Sequence, residues 1–149
     1  MGLDRMIVRV ALLVAALHLV ACATMGDPPP TLYKRLGGRE GIAIVVGDFV
    51  TNMAADSRVN ARFKDMKPAD VEKLKSNLAD QICDATGGPC SYLGRDMKTT
   101  HRGMNITEAE WSATVENLSK ALDKQNVAPM DKSELLGLLG PMKADIVGQ

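Results

Sequence analysis

Apolar residues recur at helical intervals along most of the chain. Between Arg39 and Ala54, Ile42, Val45, Val46, Phe49, Val50 and Met53 fall three and four apart, which gathers them on one broad helical face. Pro68 suits a first helical position, and Asp70 and Glu72 favour the positive start of a helix. Val71, Leu74, Leu78 and Ile82 then mark one face, and Gly87-Gly88-Pro89 ends the segment. Thr107 to Glu110 has the pattern of a capping box, with Ile106 and Trp111 where a hydrophobic staple would stand. Trp111, Val115, Leu118 and Leu122 extend that stripe. Asp131 to Glu134 repeats the box pattern with Met130 and Leu135 as its staple. A last helix would carry Leu135, Leu138, Leu139, Met142 and Ile146 and kink at Pro141. Gly37-Gly38 breaks the chain before the first long helix, and Asp56 to Phe63 reads as turns. No useful length alternates with period two, so the expected fold class is all-α.

The N-terminal segment follows a different rule. Arg5 and Arg9 precede the apolar run 10–20, the anatomy of an export signal rather than of a membrane span. The run ends in Leu19-Val20-Ala21-Cys22, which resembles a bacterial lipobox with Cys22 as the acylated residue. The alternative is an ordinary signal peptide cut at a small-residue site. Ala23 follows Cys22, so the Asp that argues for inner-membrane retention is missing. Residues 1–21 are read as a lipoprotein-type signal peptide, 22–30 as a proline-containing tether, and 31–149 as one domain. Localisation is expected to be exported, on a membrane facing the bacterial periplasm. Loss of His18 with the signal leaves His101 as the sole histidine of the mature chain.

Composition narrows the functions. Eighteen basic and eighteen acidic residues give no net charge, and no basic stripe appears, so nucleic acid is not an expected partner. Tyr33, Phe49, Phe63, Tyr92 and Trp111 are the only aromatic residues, so the core must be aliphatic and methionine-rich. Hydrolase, Walker and dinucleotide motifs are absent. One histidine and two further cysteines are too few for an ordinary zinc site. His101 is either a surface residue in a polar connection or an axial ligand. A helical fold with few aromatic rings has room for a flat apolar cofactor, and a neutral imidazole is a standard ligand for haem iron.

Several motifs stand in a telling order. They are Thr31-Leu32-Tyr33-Lys34-Arg35-Leu36-Gly37-Gly38-Arg39-Glu40, Asp48-Phe49, Ala55-Asp56-Ser57-Arg58, Gly87-Gly88-Pro89, and Tyr92-x-Gly94-Arg95-x-Met97-x-x-x-His101. Each alone is weak. Together they resemble a group I truncated haemoglobin over residues 31–147. The resemblance implies a two-over-two helical sandwich holding haem b (iron protoporphyrin IX), with His101 as the proximal iron ligand. It implies Phe63 on the haem face, and Tyr92, Arg95 and Lys98 in the block that meets the propionates. Met97, Met104, Ile106, Trp111 and Val115 would line the proximal wall. Phe49, Leu74 and Leu78 complete the expected cofactor contacts.

The distal side departs from the family. Where members often carry Tyr after the helix B Phe, this chain has Val50, and two positions often Gln align with Leu74 and Leu78. The expected distal pocket is therefore Val50, Leu74 and Leu78, with Asn77 and Gln81 beside the iron rather than above it. A hydrogen bond to dioxygen contributes about 0.5–1.5 kcal/mol or more, so losing the donors should speed O2 release by one or more factors of about ten. The implied activity is reversible binding of O2, NO and CO, with turnover of NO or peroxide needing an unidentified electron donor. Alternatives are a haem-based sensor or haem carrier of the cell envelope, or a helical lipoprotein without haem. Cys83 and Cys90 flank the Asp84-to-Pro89 turn; export makes a disulfide between them plausible, against two free thiols.

Overall fold

The computed structural model describes residues 28–149. The expectations for the signal segment, for Cys22 and for most of the tether lie outside these residues. Six α-helices follow in order: α1 (Leu32–Arg35), α2 (Gly38–Ala55), α3 (Pro68–Ala85), α4 (Met97–His101), α5 (Glu108–Lys124) and α6 (Pro129–Leu139). Short 3-10 segments occupy Asn60–Arg62 and Gly140–Asp145. Among the described residues there is no strand; one isolated bridge pairs Ile106 with Val147. The architecture is all-α.

Helix α2 is the centre. It packs on both α3 and α5, and α5 packs in turn on α6. The residues that recur three and four apart on α2 are all buried, from Ile42 to Met53. Ile42, Val46, Leu122 and Leu135 are fully enclosed. Each contributes about 1.5–3 kcal/mol through removal from water. Gly37 takes a left-handed φ of 84° as the N-cap of α2. A side chain there would be strained, which is what the glycine pair supplies to this tight junction.

Helix ends follow local chemistry. Pro68 opens α3 at its first position, and the Thr107–Glu110 capping box at the start of α5 is complete in both directions. The Asp131–Glu134 box does not form. Pro129 fixes φ and starts α6 three residues earlier, with Ala128 as the cap. Asp131 therefore lies inside the helix, buried, and accepts from Arg35 Nε at 2.7 Å, while Glu134 pairs with the same guanidinium. Met130 is 73% exposed and makes no staple. The last helix is also not one kinked helix. α6 ends at Leu139 and the chain tightens into the 3-10 turn around Pro141, whose missing N–H cannot continue an α ladder. Leu138, placed by spacing on the buried stripe, is 43% exposed.

Candidate functional site

A cavity of about 240 Å³ opens between the helices, and its wall is overwhelmingly apolar. α2 contributes Phe49, Val50 and Met53; the following connection adds Val59, Arg62 and Phe63. α3 contributes Leu74, Leu78, Gln81 and Ile82. Met97 and His101 enter from α4, then Met104 and Ile106 from the loop beyond it. α5 presents Glu110, Trp111, Thr114, Val115 and Leu118, and the C-terminal region closes the wall with Leu136, Leu139, Gly140, Met142 and Ile146.

His101 is the one imidazole in this wall. Its Nδ1 lies 2.8 Å from the carbonyl oxygen of Met97, one turn earlier on α4. A carbonyl can only accept, so Nδ1 carries the proton and donates. In the neutral ring the lone pair is then on Nε2, the arrangement in which a histidine binds a metal. Helix α4 is short but well anchored. Asp96 caps it by accepting from the Thr99 amide at 2.8 Å, and that backbone N–H holds the Asp96 carboxyl below its ordinary range.

The donor set decides what the cavity can hold. Among the described residues no three of His, Cys, Asp and Glu come together as a metal cage. A metal beside His101 must therefore bring its remaining ligands with it. A flat apolar macrocycle with iron at its centre would meet both conditions, since the apolar walls would receive its faces and Nε2 of His101 could bind the iron.

The polar members of the wall are tied to one another. Arg62 Nε donates to Glu110 Oε1 at 2.8 Å, and Arg62 Nη1 donates to the Met104 carbonyl at 2.9 Å. The Arg62 guanidinium and the Thr107 amide hold the Glu110 carboxyl down at about 2. The Gln81 amide reaches the sulfurs of Met97 and Met142 at 3.5 and 3.6 Å. It thus lines the cavity while being held by its rim, whereas Asn77 faces a neighbouring groove.

Eleven of the anticipated positions meet in this wall: Phe49, Val50, Phe63, Leu74, Leu78, Met97, His101, Met104, Ile106, Trp111 and Val115. Tyr92, Arg95 and Lys98 do not. The Tyr92 hydroxyl donates to the Arg95 carbonyl at 2.8 Å, and both residues line a separate polar groove with Lys73, Asn77, Asp80 and Leu93. Burial pushes the Tyr92 phenol up. Lys98 sits one position past Met97, about 100° around α4 from the Met97–His101 face, and is exposed. Sequence reasoning missed Met53 and Leu118, although each continues a stripe it had identified. It missed Arg62 and Glu110 for a better reason, because a pair 48 positions apart leaves no local signal. Cys83 and Cys90 are joined by a disulfide, with Cα atoms 5.8 Å apart. The bridge ties the end of α3 to the loop that leads to α4.

Comparison with known proteins agrees with this geometry. The family described as Bacterial-like globin matches residues 31–147. A group 1 truncated hemoglobin from Mycolicibacterium paratuberculosis is 30% identical over 118 residues, spanning 79% of this chain and 85% of that protein. One from Tetrahymena pyriformis is 29% identical over 123 residues, spanning 83% and 99%. The crystal structure of the Tetrahymena pyriformis truncated hemoglobin in its Fe(III) form superposes with a TM-score of 0.75 at 28% identity, covering 80% of this chain and all of that one. The 2/2 hemoglobin of a Synechococcus species, solved in the cyanomet state with covalently attached heme, gives 0.72 at 28% identity over 79% and 98%. The chain belongs to the bacterial-like globin family, among its group 1 truncated haemoglobins, and is a haem-binding globin of the two-over-two fold.

Proposed function

We propose that residues 31–149 hold haem b through the Nε2 of His101 and bind O2, NO and CO reversibly. The observation that carries this reading is the single imidazole in an apolar cavity, with its other nitrogen fixed on the Met97 carbonyl at 2.8 Å. Haem held by His101 would supply an iron able to bind a small gas. The chain supplies the rest: an imidazole whose Nδ1 is tied to the Met97 carbonyl, and apolar walls for the faces of the macrocycle. Val50, Leu74 and Leu78 line the cavity from α2 and α3 without a hydrogen-bond donor. O2, which gains most from such a donor, is then held weakly relative to CO and NO. Turnover of NO or peroxide would need an external electron donor.

The proposal includes the address. The Leu19-Val20-Ala21-Cys22 pattern supports cleavage before Cys22 and a lipid anchor, with the globin domain carried on the 22–30 tether at the periplasmic side of a membrane. Metabolic labelling with a radioactive fatty acid, lost in Cys22→Ser, tests this half.

The haem half is tested by the absorption spectrum of the purified mature domain beside His101→Ala. The wild type should show a Soret band and a five-coordinate ferrous form. His101→Ala should lose the axial bond and release haem readily. An unchanged axial bond in His101→Ala would falsify the assignment.

A further inference from the structure

The loop after His101 is unusually constrained. It turns through two left-handed residues, Gly103 at φ 77° and Asn105 at φ 48°. Two separate segments hold it. Arg62 Nη1 donates to the Met104 carbonyl at 2.9 Å. The Asn105 amide donates to the Gln149 carbonyl at 2.7 Å, and the Gly148 amide to that of Ile106 at 2.9 Å. The Met104 amide closes back on the His101 carbonyl at 3.0 Å, so any shift of the loop is felt by the imidazole-bearing residue.

Arg62 is the side chain among these clamps. It stands beside Phe63, in the connection between α2 and α3, and both line the cavity. Its guanidinium crosses the rim to the His101 side, where Glu110 orients it from the first turn of α5. Glu110 is itself fixed, since its second oxygen accepts from the Thr107 amide at 2.8 Å. The fork of a guanidinium can serve Glu110 and the Met104 carbonyl at once; an ammonium has no such planar pair of donors.

We propose that Arg62 and Glu110 are positioning residues for the axial ligand, fixing the loop after His101 and with it the angle at which the imidazole meets iron. This rests on His101 being that ligand. The pair joins the Phe63 segment to the His101 segment across the cavity rim, so it also ties these two parts of the wall together.

The test uses the haem-loaded protein and three readouts: haem transfer to excess apomyoglobin, the iron–histidine stretching band of the ferrous form, and the urea midpoint. Arg62→Met should speed haem loss about tenfold or more, the range seen when a partner that orients a metal ligand is removed. It should also shift or broaden the stretching band. Arg62→Lys should fall between it and the wild type. Glu110→Gln, which keeps an acceptor for Thr107 and removes the charge, should move the band in the same direction as Arg62→Met. Asp131→Asn, which weakens the Arg35 pair and lines no part of the cavity, should lower the midpoint and leave the band in place. A wild-type band position with unchanged haem loss in both Arg62→Met and Glu110→Gln would overturn the proposal, as would an equal shift in Asp131→Asn. If the wild type itself lacks an iron–histidine band, the assignment of His101 falls, and this inference with it.

Discussion

Gly88 presses its bare α-carbon against the disulfide sulfur of Cys83. A Cβ placed there would lie 2.5 Å from Sγ, 2.6 Å from Cδ2 of Tyr33 and 2.8 Å from the Cys83 carbonyl. Two of these neighbours are immobile, one being backbone and the other a fully buried bridged sulfur. Gly88→Ala should therefore destabilise the fold by about 1–3 kcal/mol through overpacking, read as a lower urea midpoint with unchanged slope. Gly47→Ala, with nothing within 4 Å of its added carbon, is the helical control and should be neutral or slightly stabilising.

The Cys83–Cys90 bridge closes a short loop. Chain-entropy arguments give such a loop about 2–3 kcal/mol of stabilisation. Reduction, or the double change Cys83→Ala with Cys90→Ala, should lower the denaturation midpoint accordingly. Arg39, which lies 3.2 Å from Cys90 Sγ and pairs with Asp80 at 2.6 Å, should keep the loop near α3 in the oxidised protein only. Hydrogen exchange of the 91–96 amides, compared with and without a dithiol reductant, measures that release.

Acid should weaken the fold in a defined window. The Glu110 carboxyl is held at about 2 in the folded chain against an ordinary 4.5. A depressed carboxylate stabilises the folded state above its unfolded pKa and loses that contribution as pH falls through the folded one. Asp56, held well below its usual range chiefly by Arg58 and Asn117, acts in the same sense. The urea midpoint should fall between about pH 4.5 and about pH 2, and Glu110→Gln should flatten the upper part of that fall.

A donor restored to the distal wall should reverse the expected O2 behaviour. Leu78 lines the cavity from α3, on the face that also carries Leu74. Leu78→Gln adds an amide at a wall position that now carries only methyl groups. O2 dissociation, followed by stopped flow after dilution into a CO-containing solution, should slow by about tenfold, while CO binding changes less. No slowing in Leu78→Gln, or slow O2 release already in the wild type, would contradict the apolar distal reading.

Helix positions were legible because they obey local rules. The α2 face from Ile42 to Met53, Pro68 at the start of α3 and the Thr107–Glu110 box each need only neighbours within a turn or two. Where the readings failed, a distant partner or a stronger local restraint had intervened. Pro129 outcompeted Asp131 as the opening of α6, and Arg35 then drew the Asp131 carboxylate inward from 96 positions away. Tyr92 and Arg95 line a separate groove and are joined there by the bond from the Tyr92 hydroxyl to the Arg95 carbonyl.

Sequence by itself determined that this chain is helical, that His101 is the one imidazole left in the domain, and that the motif order is that of a truncated globin. Periodicity and residue chemistry suffice for these, since both act over a few positions or none. Only the tertiary structure decided which side chains share the cavity wall, that Nδ1 of His101 is bound to Met97, and that Arg62 reaches Glu110. Those contacts depend on helices crossing in space, where two residues become neighbours through the packing of the whole chain and leave no trace in the order of the letters.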